Sequence, residues 1–258
     1  MFDINLWLSA LAALAVFATG GWLVSLPMRN VSIVDIMWSL MFLLAATVYA
    51  FTQVTLGPRA MLVLGLVIVW SIRLAAFIFW RNRGQAEDFR YRKIRTNNEP
   101  GFALKSLYLV FGLQAGLAWV ISLPLLAAVN STAPLGWLDA LGVALCLTGL
   151  IFEAGGDWQL SQFKRDPTNR GKVLDTGLWR YTRHPNYFGD FCVWWGFFLI
   201  ALAAGGWWSV VGPVLMSVLL LKVSGVALLE KDIGDRRPDY RAYIRRTNAF
   251  FPGPPRSL

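Results

Sequence analysis

The chain has one histidine, two cysteines and only 15% charged residues among its 258. Each scarcity excludes something. A lone histidine with no cysteine near it leaves no zinc-type ligand set and no Ser–His–Asp arrangement. Cys146 and Cys192 both fall in apolar stretches, which rules out a disulfide framework and reads as small buried residues. The sequence contains no G-x-G-x-x-G and no G-x-x-x-x-G-K-[ST], so neither a Rossmann domain nor a P-loop is expected. No internal repeat, low-complexity tract or linker marks a second domain. A single transmembrane domain over residues 1–258 is therefore expected. The start Met1-Phe2-Asp3 lacks the basic residues of a signal peptide, so the first apolar segment is expected to stay as a helix.

What is abundant is apolar sequence: 56% of residues, with a mean hydropathy of +0.51. Windows long enough to cross a bilayer recur along the chain. They predict an all-α, polytopic membrane protein with seven transmembrane helices, at about 4–26, 34–51, 60–80, 107–129, 137–160, 187–204 and 207–229. The net charge of +9 is unevenly placed. Nearly all Lys and Arg fall in residues 81–104, 161–186 and 231–258, with Arg29 on the same side and Arg59 alone on the other. The positive-inside rule then puts the amino terminus outside and the carboxyl terminus in the cytoplasm. The basic regions are short connections pinned to membrane helices, so nucleic acid is not an expected partner. Membrane lipids are, and no obligate protein partner is implied.

Ionisable groups interrupt the apolar segments at Asp35, Arg73, Glu153 and Lys222. Charges at such depth should face the bundle interior or water, as a functional cavity or as structural ion pairs. Glu153, Asp157, Ser161 and Lys164 are spaced to share one helix face, and Asn186 and Asp190 repeat the four-residue spacing. Pro185 suits a first helical turn, where free N–H groups favour an anion. The densest polar stretch, Arg180-Tyr181-Thr182-Arg183-His184-Pro185-Asn186-Tyr187-Phe188-Gly189-Asp190, holds the only histidine. A basic loop, Lys164 to Lys172, precedes it. Cations for phosphates beside carboxylates for hydroxyls read as a nucleotide or dinucleotide site built on a membrane protein. His184 reads as a hydrogen-bonding residue more than a general base.

The string Glu153-x-x-x-Asp157-x-Gln159, Phe163-Lys164, Asn169-x-Gly171 and Gly177-Leu178-Trp179-Arg180-Tyr181-x-Arg183-His184-Pro185-Asn186-Tyr187-x-Gly189-Asp190 resembles the carboxyl-terminal half of the steroid 5α-reductase family. More narrowly it is similar to a bacterial branch described as a domain of unknown function, of the DUF1295 type. Sterol reductases carry a related Arg-His-x-Asn-Tyr-x-Gly-Asp, and isoprenylcysteine carboxyl methyltransferases share the Arg-His-Pro core. Arg237-Pro238-Asp239-Tyr240, Tyr243 and Phe251-Pro252 continue the likeness.

The resemblance implies a seven-helix enzyme of a bacterial inner membrane that binds NADPH from the cytoplasm. It implies cofactor contacts at Arg73, Asp157, Lys164, Asn186 and Asp190, with Arg170, Lys172, Arg183, His184 and Tyr187 as further contacts. Tyr240 either closes that site or anchors the tail. Asp35 stands where the family has its catalytic glutamate, and Trp70 where it has a substrate-binding tyrosine. An indole donates a hydrogen bond but does not accept one. The expected reaction is NADPH-dependent reduction of a C=C bond conjugated to a ketone, in a lipophilic small molecule entering from the bilayer. A 3-oxo-Δ4-steroid or a related lipid enone fits. Two alternatives are an S-adenosylmethionine-dependent methyltransferase and a non-enzymatic lipid-binding or transport protein.

Overall fold

The computed structural model describes residues 2–223, 225–226, 230 and 238–256. Among them the protein is all-helical, with no strand. Six helices are long and apolar enough to cross a bilayer: α1 (Ile4–Met28), α2 (Ile33–Phe51), α3 (Pro58–Asn82), α5 (Phe102–Ile121), α7 (Trp137–Arg165) and α8 (Pro185–Ala203). This is a multi-pass integral membrane protein. Short α4 (Phe89–Asn98) lies between α3 and α5, and α6 (Leu123–Val129) follows α5. Next come α9 (Trp207–Val223) and α10 (Pro238–Arg246). Part of the last expected span, which was read to Leu229, lies outside the described residues. The chain divides into two compact units, Met1–Gly136 with Ile200–Val211, and Trp137–Leu199 with Gly212–Leu258.

In the first unit, the Asp3 side chain caps α1 by accepting from the Leu6 N–H at 3.0 Å. The helix ends where Arg29 turns left-handed, with φ 49, and sends its N–H back to Leu26 and Ser25. Ala10, Leu14, Ala18, Gly21 and Ser25 recur on one buried face. Between helices in lipid there is no aqueous hydrophobic drive, so small side chains and close backbone approach supply the packing. Tryptophans Trp7 and Trp119 stack at 3.7 Å, and each indole donates to the other's backbone carbonyl. The buried Ser39 hydroxyl donates to the Ser71 carbonyl, tying α2 to α3. Arg59 is 2% exposed and donates to Ser131 Oγ and to the carbonyls of Ala133 and Pro134.

The expected span at 107–129 is interrupted. Its helix starts earlier, at Phe102 behind Gly101, and stops at Ser122. Pro124, which has no N–H to donate, sits in the first turn of a new helix. An apolar window does not register that break, because Pro124 lies within a continuous apolar run.

In the second unit α7 has 29 residues, about 44 Å at 1.5 Å each, against roughly 30 Å of hydrocarbon. The excess length carries its polar end out of the apolar layer. The buried face of α7 reads Asp139, Gly142, Cys146, Gly149, Glu153, Gly156, Asp157. Three glycines on that face meet α8. A Cβ on Gly149 would lie 2.5 Å from the Gly189 carbonyl, and one on Gly189 would lie 2.5 Å from the Glu153 nitrogen. The two backbones therefore approach more closely than any side chain would permit.

Candidate functional site

The polar cluster of the second unit is built on that glycine seam. Bringing α7 against the start of α8 sets Asp157 beside Asn186, whose Nδ2 donates to Asp157 Oδ1 at 3.3 Å. Asp157 and Asp190 are buried, and Asn186 and Tyr187 are half-buried. Ser161 donates back to the Asp157 carbonyl at 2.8 Å, and this bond leaves the carboxylate for other partners. Lys164, Arg170 and Lys172 are exposed on the α7 end and the loop after it. In that loop Asp166 accepts from the Thr168 N–H at 2.9 Å, and Asn169 donates to the Phe163 carbonyl.

Gln159 then shapes the return to α8. Its Oε1 accepts from the Leu178 N–H at 3.0 Å. Gly177 takes φ 59 directly against that amide, where a Cβ would sit 2.6 Å from Nε2. Trp179 donates its indole N–H to the Gly156 carbonyl at 3.1 Å. The loop is thus pinned to α7 on either side of Asp157, at Gly156 and Gln159.

Arg183 and His184 were expected as further cofactor contacts. In the structure their hydrogen bonds go to Glu230 and the tail. Arg183 is 6% exposed and forks onto Glu230, Nε to Oε1 and Nη2 to Oε2, both at 2.7 Å. Its Nη1 donates to the carbonyls of Ile244 and Thr247. His184 Nε2 lies 2.9 Å from Glu230 Oε1, with its ring stacked on Tyr187. Burial pushes the Glu230 carboxyl up, but the hydrogen bonds from His184 and Arg183 outweigh it and hold the group down at about 2.

The tail is fastened further. Tyr243 donates to the Trp179 carbonyl, Arg246 pairs with Asp175, and Thr182 donates to the Phe250 carbonyl. Phe250 and Phe251 meet Phe188 and Phe191 of α8 edge-on. Tyr240 is buried against Tyr243. Arg237, at the start of the closing pattern, lies outside the described residues.

Asp35, Trp70 and Arg73 belong to the first unit. Asp35 is in the first turn of α2 and accepts two hydrogen bonds, from Arg90 Nη2 at 2.7 Å and from the Tyr91 hydroxyl at 2.5 Å. Gln114 Nε2 donates to the same hydroxyl at 3.1 Å. Burial and the adjacent Asp35 carboxylate both push the Tyr91 phenol up, so it stays a neutral donor. Burial disfavours charge on Arg90, yet the carboxylates of Asp35 and Asp88 raise its affinity for the proton.

More bonds strap this segment to the α1–α2 turn. Glu87 accepts from the Val31 N–H at 2.9 Å, and Ser32 Oγ accepts from the Asp88 N–H at 2.9 Å. Arg95 forks onto Glu87 and also donates to the Arg29 carbonyl. Trp70 is 1% exposed and packs 5.8 Å from Phe42, which also takes Trp38 edge-on. Arg73 lies one turn along α3, half-buried, with Nε and Nη2 shielded from water.

Sequence reading missed Arg90, Tyr91 and Gln114 around Asp35. The available signal was a run of Asp88, Arg90 and Tyr91 in a short polar connection between apolar segments, where Asp88 caps a helix that carries a buried tyrosine. Glu230 carries no local sign of its partners, which stand 46 and 47 residues away. Among the described residues no group of three metal-ligating side chains occurs.

The chain is similar to an uncharacterized protein of Schizosaccharomyces pombe, 27% identical over 273 aligned positions that cover 90% of this chain and 75% of that protein. No solved structure matches it. The family described as "protein of unknown function (DUF1295)" matches residues 21–247, the α7–α8 cluster and the Asp35 cluster included. The chain belongs to that DUF1295 family.

Proposed function

We propose that this protein is an NADPH-dependent membrane reductase of a conjugated C=C bond in a lipophilic enone, a 3-oxo-Δ4-steroid or related lipid, within the steroid 5α-reductase superfamily. The observation that carries the reading is the Asp157–Asn186 contact, which sets a buried carboxylate and an amide from two helices at the mouth of a basic loop. The donor set fits a phosphorylated dinucleotide. Asp157 and Asp190 accept from ribose hydroxyls or the carboxamide, Asn186 offers both donor and acceptor, and Lys164, Arg170 and Lys172 are exposed cations that suit phosphates. Three cations suit a cofactor with three phosphates better than S-adenosylmethionine, which has none.

NADPH, when bound, supplies the hydride for the β-carbon of the enone. The residues of the chain handle the rest. Arg183 and His184 hold the loop and tail in register through Glu230, and Tyr187 and Tyr240 wall the cluster. The family resemblance also assigns Arg73, in the first unit, to the cofactor. As charge develops on the enone oxygen, it needs preorganised donors. Asp35 accepts on both oxygens and so fixes Tyr91 and Arg90; the Tyr91 proton is committed to Asp35, and Arg90 keeps further N–H groups to donate to that oxygen. Trp70 orients the substrate with its indole N–H. The proton on the neighbouring carbon comes from water.

The charge distribution supports seven spans, with the amino terminus outside and the basic connections in the cytoplasm of a bacterial cell. The test is purified protein supplied with NADPH and progesterone or testosterone, with nicotinamide absorbance and the 5α-dihydro product as readouts. Tight S-adenosylmethionine binding with no NADPH oxidation by any enone would refute the reading in favour of a methyltransferase.

A further inference from the structure

A cavity of about 400 Å3 opens in the first unit, between the end of α1 and the start of α5. None of the residues assigned above to NADPH or the enone lines it. One wall is apolar, made by Leu26 near the end of α1, Phe102 at the start of α5 and Val31 in the turn after α1. The other carries Arg29, Arg95 and Glu99.

These three charges are not equivalent. Arg95 is neutralised by Glu87, at 3.0 and 2.8 Å, and its guanidinium lies over the Phe102 ring at 4.5 Å. It forms a flat, balanced wall. Arg29 and Glu99 line the same cavity and are exposed to the ligand side; Glu99 lies near enough to Arg95 to favour its charge, but among the described residues neither Arg29 nor Glu99 forms an ion pair, and they do not pair with each other. A cavity that keeps one cation and one carboxylate apart is complementary to a ligand with an anion and a cation of its own. The volume falls at the small end of ligand sites, enough for a head and not for acyl chains. Leu23, Val24 and Met28 of α1 and Leu104 and Tyr108 of α5 are exposed apolar side chains, on which such chains would lie.

We infer that this cavity seats the headgroup of a phosphoethanolamine phospholipid. The phosphate meets Arg29, the primary ammonium meets Glu99, and the glycerol end runs along Leu26, Val31 and Phe102. A primary ammonium donates charge-assisted hydrogen bonds to a carboxylate, which a quaternary choline head does not. A glycerol head offers Glu99 neutral hydroxyl donors and no cation. The inference does not depend on the reductase reading.

The test uses the full-length protein, purified from detergent and exposed to an equimolar mixture of phosphatidylethanolamine, phosphatidylglycerol and phosphatidylcholine with identical chains. Native mass spectrometry then counts retained lipids. The wild type should keep one phosphatidylethanolamine, with a preference of about tenfold over either competitor, the worth of one charge-assisted hydrogen bond. Glu99→Gln should abolish the preference while phospholipid is still retained, and Arg29→Gln should weaken retention of all three. Equal retention of the three lipids by the wild type would overturn the assignment, and that result needs no variant to fold. A preference that survives in both variants would overturn it as well. So would displacement by soluble glycerophosphoethanolamine at the same concentration, since the site would then read a free head and not a lipid.

Discussion

Replacing Glu230 by glutamine should release the tail from the loop that carries the second unit's polar cluster. Glu230 receives a bidentate Arg183 and a bond from His184, and the carboxyl is held down from 4.5 to about 2. At roughly 1.4 kcal/mol per pH unit that depression is worth about 3 kcal/mol. Solvent screening of a side chain that keeps 19% of its surface in water brings this to about 2 kcal/mol. The variant should therefore open the tail about thirtyfold more often.

The sign follows from the direction of the shift. A carboxyl depressed in the folded state contributes fully above about 4.5 and loses its contribution as pH falls toward about 2. Hydrogen exchange over Pro238–Arg246 at neutral pH is the assay. Exchange there should quicken about thirtyfold in Glu230→Gln, with α1 and α2 unchanged, and the gap to wild type should narrow as pH falls from about 4.5 toward about 2. Equal exchange in the two proteins at neutral pH would refute the reasoning, as would a gap that persists unchanged at pH 3.

Three further outcomes are expected. Tyr91→Phe removes the donor to Asp35 and the acceptor for Gln114, and should cost about 1–3 kcal/mol in thermal or denaturant unfolding of the detergent-solubilised protein; no change would mean water replaces the hydroxyl. Gly189→Ala drives a methyl to 2.5 Å from backbone on α7 and should cost about 1–3 kcal/mol, while Gly20→Ala, with nothing within 4 Å, should be near neutral; equal melting of the two variants would contradict the seam. Asp157→Asn should weaken NADPH binding at least about tenfold in a titration, with the fold retained by melting, and unaltered affinity would remove Asp157 from the cofactor set.

Much of this architecture was legible because lipid imposes a simple rule. Helices must satisfy their own backbone, so long apolar windows become spans, and α1, α2, α3, α7 and α8 lie where the windows fall. The shared face of Glu153 and Asp157 on α7 was legible too, since four-residue spacing fixes which side chains lie together on one helix; that this face meets Asn186 of α8 was not. What stayed hidden depends on contacts between distant segments. Nothing local tells Glu230 that its partners are Arg183 and His184, or tells Asp35 that α4 will fold back with Arg90 and Tyr91. The break at Ser122 stayed hidden for another reason, because Pro124 is apolar and hydropathy does not count missing N–H groups.

The glycine seam has a consequence for how mutations would sort. The separation of the α7 and α8 axes is set where no side chain exists, at Gly149 and Gly189, several residues from Asp157 and Asn186. In a saturation library, positions devoid of functional groups should therefore prove less forgiving than several of the charged ones. A screen that ranks residues by lost activity would point first at hydrogen atoms on α-carbons, and the ligand-facing chemistry would surface only after variants that merely widen the helix pair had been set aside.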